Sequence, residues 1–248
     1  MSGIADRRPR FLKKLLDLIY PRTCVHCDRS ITDETSNLPY CRGCWETIRP
    51  LTGPQCSICA TPFPSPSALS HSPDHHCAEC REDIPAFSRA FTPYLYEGIL
   101  ADAIQRFKYQ KQTSLAAPLA GLIMEKLTTV QFDLVAAIPL HPTRLRTREF
   151  NQSLLLAQRI ARFTQVPLLI DALNRSRDTL PQVGLSRKER AQNVRRAFHL
   201  SDPTPIKEKR ILLVDDVYTT GATLREGSKI LLKGGAKEVI VAAVTRMI

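Results

Sequence analysis

The apolar positions of this chain change their period between its two ends. Residues 211–214 are a continuous apolar run, the pattern of a parallel strand covered on both faces. "FDLVAAIP" (132–139) and "KEVIVAAVTRM" (237–247) read the same way, and "AFTPYLYEG" is strand-like up to Gly98. Residues 99–109, 115–127, 224–232 and "FNQSLLLAQRIARF" (150–163) instead space their apolar side chains for one helix face. Strands alternating with helices predict an α/β domain with a largely parallel sheet over residues 85–248. Ahead of it, "RFLKKLLDLIYP" places Phe11, Leu12, Leu15, Leu16 and Ile19 on one side of a short helix within 1–20. That face suits packing on the body of the protein; a helix lying on a membrane surface is the other reading.

Residues 21–84 have neither period, and there the cysteines take over. All eight fall into four C-x-x-C pairs: Cys24/Cys27, Cys41/Cys44, Cys56/Cys59 and Cys77/Cys80. Each pair turns two thiolates toward one point, and two pairs complete a tetrahedron about zinc. Four pairs therefore predict two structural Zn2+ sites, a double zinc ribbon. Sequential pairing is expected, with crossed pairing as the alternative. Disulfides of a secreted protein would need a signal peptide, and residues 1–20 lack an uninterrupted apolar core. His26, His75 and His76 could substitute as ligands, though the thiolates suffice. "TPFPSPSALSHSPDHH" between the last two pairs, rich in Pro, Ser and His, reads as a mobile excursion.

After the strand at 211–214 comes "DDVYTTGATL", two adjacent carboxylates and then threonines around a glycine. A dinucleotide site would need G-x-G-x-x-G here and a P-loop G-K-[ST]. A phospho-accepting receiver domain would need another Asp one strand later. This sequence has none of these. What remains is a site for a phosphorylated sugar at the carboxyl end of a strand. Backbone N–H groups of Thr219, Thr220, Gly221, Ala222 and Thr223, with the following helix amino end, can hold a monophosphate. Asp215 and Asp216 can accept from ribose hydroxyls one sugar away.

This stretch resembles the phosphoribosyl-diphosphate (PRPP) motif of type I phosphoribosyltransferases. With "YEGILADAIQRFKY", "IPLHPTRLRTREFNQS" and "RSRDTLPQVGLSRKERAQNVRRAF", the chain is similar to the ComF family along most of its length. The resemblance implies a type I phosphoribosyltransferase fold behind a double zinc ribbon, and a link to DNA uptake in naturally competent bacteria. It implies transfer of phosphoribose from PRPP, accompanied by Mg2+, to a nitrogen nucleophile, with Asp215 and Asp216 as the catalytic pair. Arg144, Arg146 and Arg148 would lie in a pyrophosphate loop. Arg175, Arg177, Thr179, Gln182, Arg187, Arg190 and Asn193 would lie in a loop closing over PRPP, with Lys108 a further candidate. Two positions depart from the pattern: Glu149 stands where glycine precedes F-N-Q, and Ala60 where glycine follows the third cysteine pair.

Charge supports an anionic ligand without naming it. The chain carries a formal net charge of +11, all of it arising beyond residue 85, and residues 141–196 hold twelve basic against four acidic side chains. The zinc region is balanced as a sequence and becomes negative once thiolates bind metal, which makes docking or structure its expected role. The basic stretch suits PRPP or the backbone of single-stranded DNA. Few aromatics accompany it (Phe150, Phe163 and Phe198), which disfavours base-specific reading. A non-catalytic PRPP sensor that handles single-stranded DNA beside the uptake machinery is therefore the second reading. No transmembrane segment is expected, and the location expected is cytoplasmic.

Overall fold

A computed structural model describes residues 22–31, 38–65, 75–171, 173–179 and 186–248. The expected helix in 1–20 and Gln182 lie outside the described residues. The chain divides into two compact units, Met1–Arg49 and Pro50–Ile248.

In the first unit the chain turns at Cys24 and Cys27, and the second cysteine pair opens the short helix α1 (Arg42–Trp45). Tyr40 is buried against Trp45, with ring centroids 5.8 Å apart.

The second unit repeats that arrangement and then continues into the α/β domain. Its second cysteine pair opens α2 (Ala78–Glu82), followed by β1 (Arg89–Phe91) and β2 (Tyr94–Leu95). Next come α3 (Gly98–Tyr109), a 3-10 turn (Thr113–Leu115), α4 (Ala116–Leu127) and β3 (Leu134–Ala137). After these lie α5 (Pro142–Arg148), α6 (Gln152–Thr164) and β4 (Leu168–Leu169). The hairpin strands β5 (Leu173–Arg175) and β6 (Phe198–Leu200) flank α7 (Arg187–Val194). Finally β7 (Arg210–Tyr218), α8 (Ala222–Lys233) and β8 (Glu238–Arg246) complete the unit.

The main sheet runs β1-β8-β7-β3-β4, with β2 also on β8, and every pair is parallel. β7 sits in its middle, with Ile211, Leu212, Leu213 and Val214 fully buried, as a strand covered on both faces must be. From β3 the chain winds outward to β4, and from β7 it winds the other way to β8. The strand order therefore reverses between β3 and β7, and ligands of open α/β sheets bind at the carboxyl ends beside such a reversal. β5 and β6 form a separate antiparallel pair.

Cys56, Cys59, Cys77 and Cys80 belong to the same buried cluster as Ala90, Leu213, Tyr218, Leu224 and Val241. The second ribbon packs into the α/β core, so the compact unit begins at Pro50, ahead of the expected boundary near residue 85. "PLHPTRLRTR" is not an open loop. His141 caps α5 by accepting from the Thr143 N–H, and Pro142 at the first position needs no partner for its missing N–H. "AFTPYLYEG" is two short strands that end before Gly98, which opens α3.

Candidate functional site

β7 carries Asp215 and Asp216 to the point where the strand order reverses. Neighbouring side chains on a strand point to opposite faces, so the two carboxylates meet different partners. The Ser153 hydroxyl and the Asp216 N–H both donate to Asp215 Oδ1, at 2.8 and 2.9 Å. Asp216 is buried and pairs with the Lys108 ammonium at 2.8 Å. Burial and then the neighbouring Asp216 push Asp215 up to about 6, against the pull of Lys108 and Ser153. Burial works against the charge on Lys108, yet Asp216 holds its pKa above the ordinary value. These contacts all fall on Oδ1 of each carboxylate.

Ser153 is placed by Asn151. As N-cap of α6, the Asn151 side chain accepts from the Ser153 and Leu154 N–H groups. Its amide donates to the Ile138 carbonyl at 2.9 Å, which ties α6 to the end of β3. Neither Asn151 nor Ser153 was singled out from the sequence. A cap residue just before an apolar-periodic run was the available signal.

The threonine-rich turn follows. Gly221 has φ +73 and is the N-cap of α8, the start of the helix whose free N–H groups favour an anion. Thr220 Oγ1 accepts from the Ala222 N–H at 3.4 Å. Thr219, Thr220 and Thr223 are half-buried, whereas Gly221 and Ala222 are buried. A β-carbon added at Gly221 would lie 2.3 Å from the Tyr218 hydroxyl oxygen, so only glycine fits there.

The arginine candidates separate. Arg175 is buried, stacks over the Phe198 ring at 5.4 Å and donates to the Thr179 hydroxyl. Its Nε has no hydrogen-bond partner among the described residues. Burial, then the nearby Arg144, lowers its pKa to about 10, while Asp215 and Asp178 pull the other way. Arg144 donates to the Thr179 carbonyl and lies 4.0 Å from Asp178. Arg148 stacks over Tyr109 at 5.2 Å and reaches Gln152 at 3.3 Å. Arg144 and Arg175 share Thr179, and Arg148 and Asp215 both lie near enough to act on the Arg175 charge. Arg146 is exposed. Arg177 donates to the Gln192 and Asn193 carbonyls at the end of α7, beside a cavity of about 510 Å³ also lined by Arg195 and Arg196. Arg187 and Arg190 fall on α7, so the expected closing loop contains a helix.

Both sequence departures lie at strained backbone. Glu149 has φ +67 and Ala60 φ +58, the left-handed region that glycine enters without cost. Glu149 is held there by an ion pair with Lys111.

The cysteines gather into two sets of four in chain order: Cys24, Cys27, Cys41, Cys44 and Cys56, Cys59, Cys77, Cys80. In each set the sulfurs lie within 4.8 Å of one another, with Cys27–Cys41 at 3.7 Å and Cys59–Cys77 at 3.6 Å. Zinc–sulfur bonds of about 2.3 Å in a tetrahedron require sulfurs about 3.8 Å apart, so both sets fit Zn2+. Burial opposes ionisation of Cys24 and Cys56, but converging backbone N–H groups bring them down to about 6 and about 7, whereas hydrogen bonds from neighbouring thiols together with burial hold Cys44 up, and burial with neighbouring thiolates holds Cys77 and Cys80 up. For Mg2+ the case differs. One oxygen of each carboxylate is committed to Ser153 or Lys108, so the ion's coordination would come mainly from PRPP and water.

A parallel sheet with an acidic pair and a threonine-rich turn at the strand reversal, joined to cysteine ribbons, defines a phosphoribosyltransferase-type domain behind a double zinc ribbon. Known families agree in both parts: residues 15–81 match the double zinc ribbon domain, and residues 151–247 the phosphoribosyl transferase domain. The chain is 34% identical to "Competence protein F" of Haemophilus influenzae over 231 residues, 90% of this chain and 96% of that protein. It is 32% identical to "DNA utilization protein YhgH" of Escherichia coli over 200 residues, 78% of this chain and 83% of that one. Among solved structures it is similar to the glutamine PRPP amidotransferase from B. subtilis, with TM-score 0.40 and 21% identity. That likeness covers 56% of this chain and only 30% of the enzyme. The chain belongs to the ComF family.

Proposed function

We propose that this protein binds PRPP with Mg2+ at Asp215, Asp216 and the loop 219–223, and transfers its phosphoribose to a nitrogen nucleophile. The placement of the acidic pair beside the phosphate loop, at the strand reversal, carries this reading. The 5′-phosphate would sit on the N–H groups of the loop and α8, and the ribose hydroxyls on the two carboxylates. Arg175, Arg144 and Arg148 would face the pyrophosphate. In the reaction the bond from the ribose C1 to pyrophosphate breaks, taking its electron pair with it, and the nucleophile's nitrogen bonds to C1 and gives up a proton. Fixed cationic groups that stabilise the departing charge are the protein's main contribution. The curated relatives named for competence and DNA utilisation support a role in handling incoming DNA. A PRPP-sensing factor that binds single-stranded DNA without turnover is the second reading, favoured by the exposed arginines around Arg177.

Calorimetry with PRPP and Mg2+ tests binding. The Asp215→Asn, Asp216→Asn double variant is expected to lose roughly 1.5–3 kcal/mol per charged hydrogen bond removed. Unchanged affinity would place the ligand elsewhere. Pyrophosphate release measured against bases, amines and single-stranded DNA then separates enzyme from sensor. The ligand-free protein offers a second readout. Because folding raises the Asp215 pKa from 3.8 to about 6, the folded state holds the extra proton between these values. Stability should therefore fall as pH rises from about 4 to about 6, by roughly 3 kcal/mol at most, and level off above. Chemical denaturation across that range should show the fall, and Asp215→Asn should abolish it.

A further inference from the structure

The phosphate loop is clamped from behind by the second cysteine set. Arg246, at the end of β8, is buried, yet two of its three partners come from the ribbon. Nη1 donates to the Cys59 carbonyl at 2.8 Å and to the Thr92 hydroxyl at 3.4 Å; Nη2 donates to the Thr61 hydroxyl at 2.7 Å. The Thr61 oxygen in turn lies 3.1 Å from the Cys59 sulfur. The Arg246 guanidinium stacks over the Tyr218 ring at 5.2 Å, and Tyr218 is its register partner on β7. The Tyr218 hydroxyl rests against Gly221, in the place a β-carbon would need. On the other flank Arg225, one turn into α8, donates to the carbonyl and carboxylate of Asp83 at 2.8 and 3.1 Å. Asp83 ends the helix begun at Cys77. Two arginines next to the loop, one backing it through Tyr218 and one a turn into α8, are thus anchored on the ribbon, at the Cys59 turn and at Asp83 just beyond the Cys77/Cys80 helix.

We infer that the second four-cysteine site is a positioning device for the PRPP loop, acting through Arg246 and Tyr218 on one side and Arg225 on the other. This rests on the reading of the loop as the phosphate site. Metal fixes the Cys59 turn, the turn fixes the guanidinium, and the guanidinium fixes the ring that backs Gly221. A planar guanidinium that satisfies three acceptors while stacking on an aromatic face holds one geometry, which a flexible ammonium cannot reproduce. None of these residues need touch the ligand: their effect is on how often the loop N–H groups are presented together.

Hydrogen exchange of the full-length, zinc-loaded protein without ligand tests the coupling directly, and PRPP titration tests its consequence. In Arg246→Met, amides of 219–223 are expected to exchange about tenfold faster, while those of 211–214 keep their protection and zinc content stays at the wild-type level. PRPP affinity is expected to fall about tenfold in parallel. Arg246→Lys, which keeps the charge and a donor, should land between. Thr61→Val, which removes one acceptor at a half-buried position, should give about a threefold effect and decides the matter if Arg246→Met does not fold. Loop exchange within twofold of wild type in a folded variant would overturn the inference. So would equal acceleration at 211–214, which means general destabilisation. Were the wild-type protein to show no affinity for PRPP, the ligand assignment would fall, while the exchange experiment would still decide whether the ribbon holds the loop.

Discussion

Residues 22–31 and 54–63 fold into the same turn and then part company. In both, the first cysteine's N–H bonds to the residue five ahead (Cys24 to Arg29, Cys56 to Thr61), and its carbonyl accepts from the residue four ahead (Asp28, Ala60). Those two residues share a left-handed backbone, with φ of 57 and 58, and the flanking bridges Thr23–Ser30 and Gln55–Pro62 correspond. The surroundings differ. All four cysteines of the second set are buried and belong to the α/β core cluster, whereas in the first set Cys24 alone is buried, outside that cluster. Local chemistry builds the same cysteine site twice; packing makes one of them part of the domain that carries the acidic pair.

The comparison breaks or holds first on stability. Cys80→Ser removes a buried ligand from the core and is expected to cost the 50–248 unit about 3–5 kcal/mol, or its fold. Cys44→Ser is expected to leave the main unfolding transition within about 1 kcal/mol. Denaturation followed by tyrosine absorbance and far-ultraviolet dichroism measures both, and equal losses would erase the distinction.

Metal exchange gives a smaller contrast. A colorimetric chelator is expected to take zinc in two phases, the slow one at least about tenfold slower, because the buried set requires local opening of the core. Cys44→Ser should remove the fast phase. A single phase for two zinc ions would contradict the burial difference.

The smallest effect concerns the shared left-handed residue. Ala60→Gly should stabilise by about 1 kcal/mol, and Asp28→Gly by about half of that, because a short polar side chain tolerates this backbone better than alanine does. Thermal unfolding of each variant measures the difference. Glu149→Gly, at another left-handed residue, should gain less than its backbone term alone, since it gives up the ion pair with Lys111.

Much of the site could be read from the sequence because its signals are local. An apolar run ending in two aspartates and a threonine-rich turn places a loop at a strand end whatever surrounds it. Arg177, Arg187 and Arg190 were harder. They stand in a basic stretch that reads as one loop, yet Ser186 and Glu189 form a capping box and start a helix there. Nothing beside Lys108 in the chain announces a partner; its carboxylate, Asp216, arrives from a strand far along the sequence. Tyr218 and Arg246 carried no signal, since each sits in an ordinary strand pattern.

The sequence by itself determined the cysteine knuckles, the alternation of strands and helices, the acidic pair and the glycine that opens α8. Each depends on spacing and backbone freedom within a few residues. Only the tertiary structure decided which cysteine set joins the sheet, which arginines gather around Arg175, and that Arg246 reaches from the end of β8 to the Cys59 turn. Those contacts join residues as far apart as 59 and 246. The physical reason is that a buried guanidinium or carboxylate must find its partner wherever the fold brings one, and sequence spacing carries no record of that meeting.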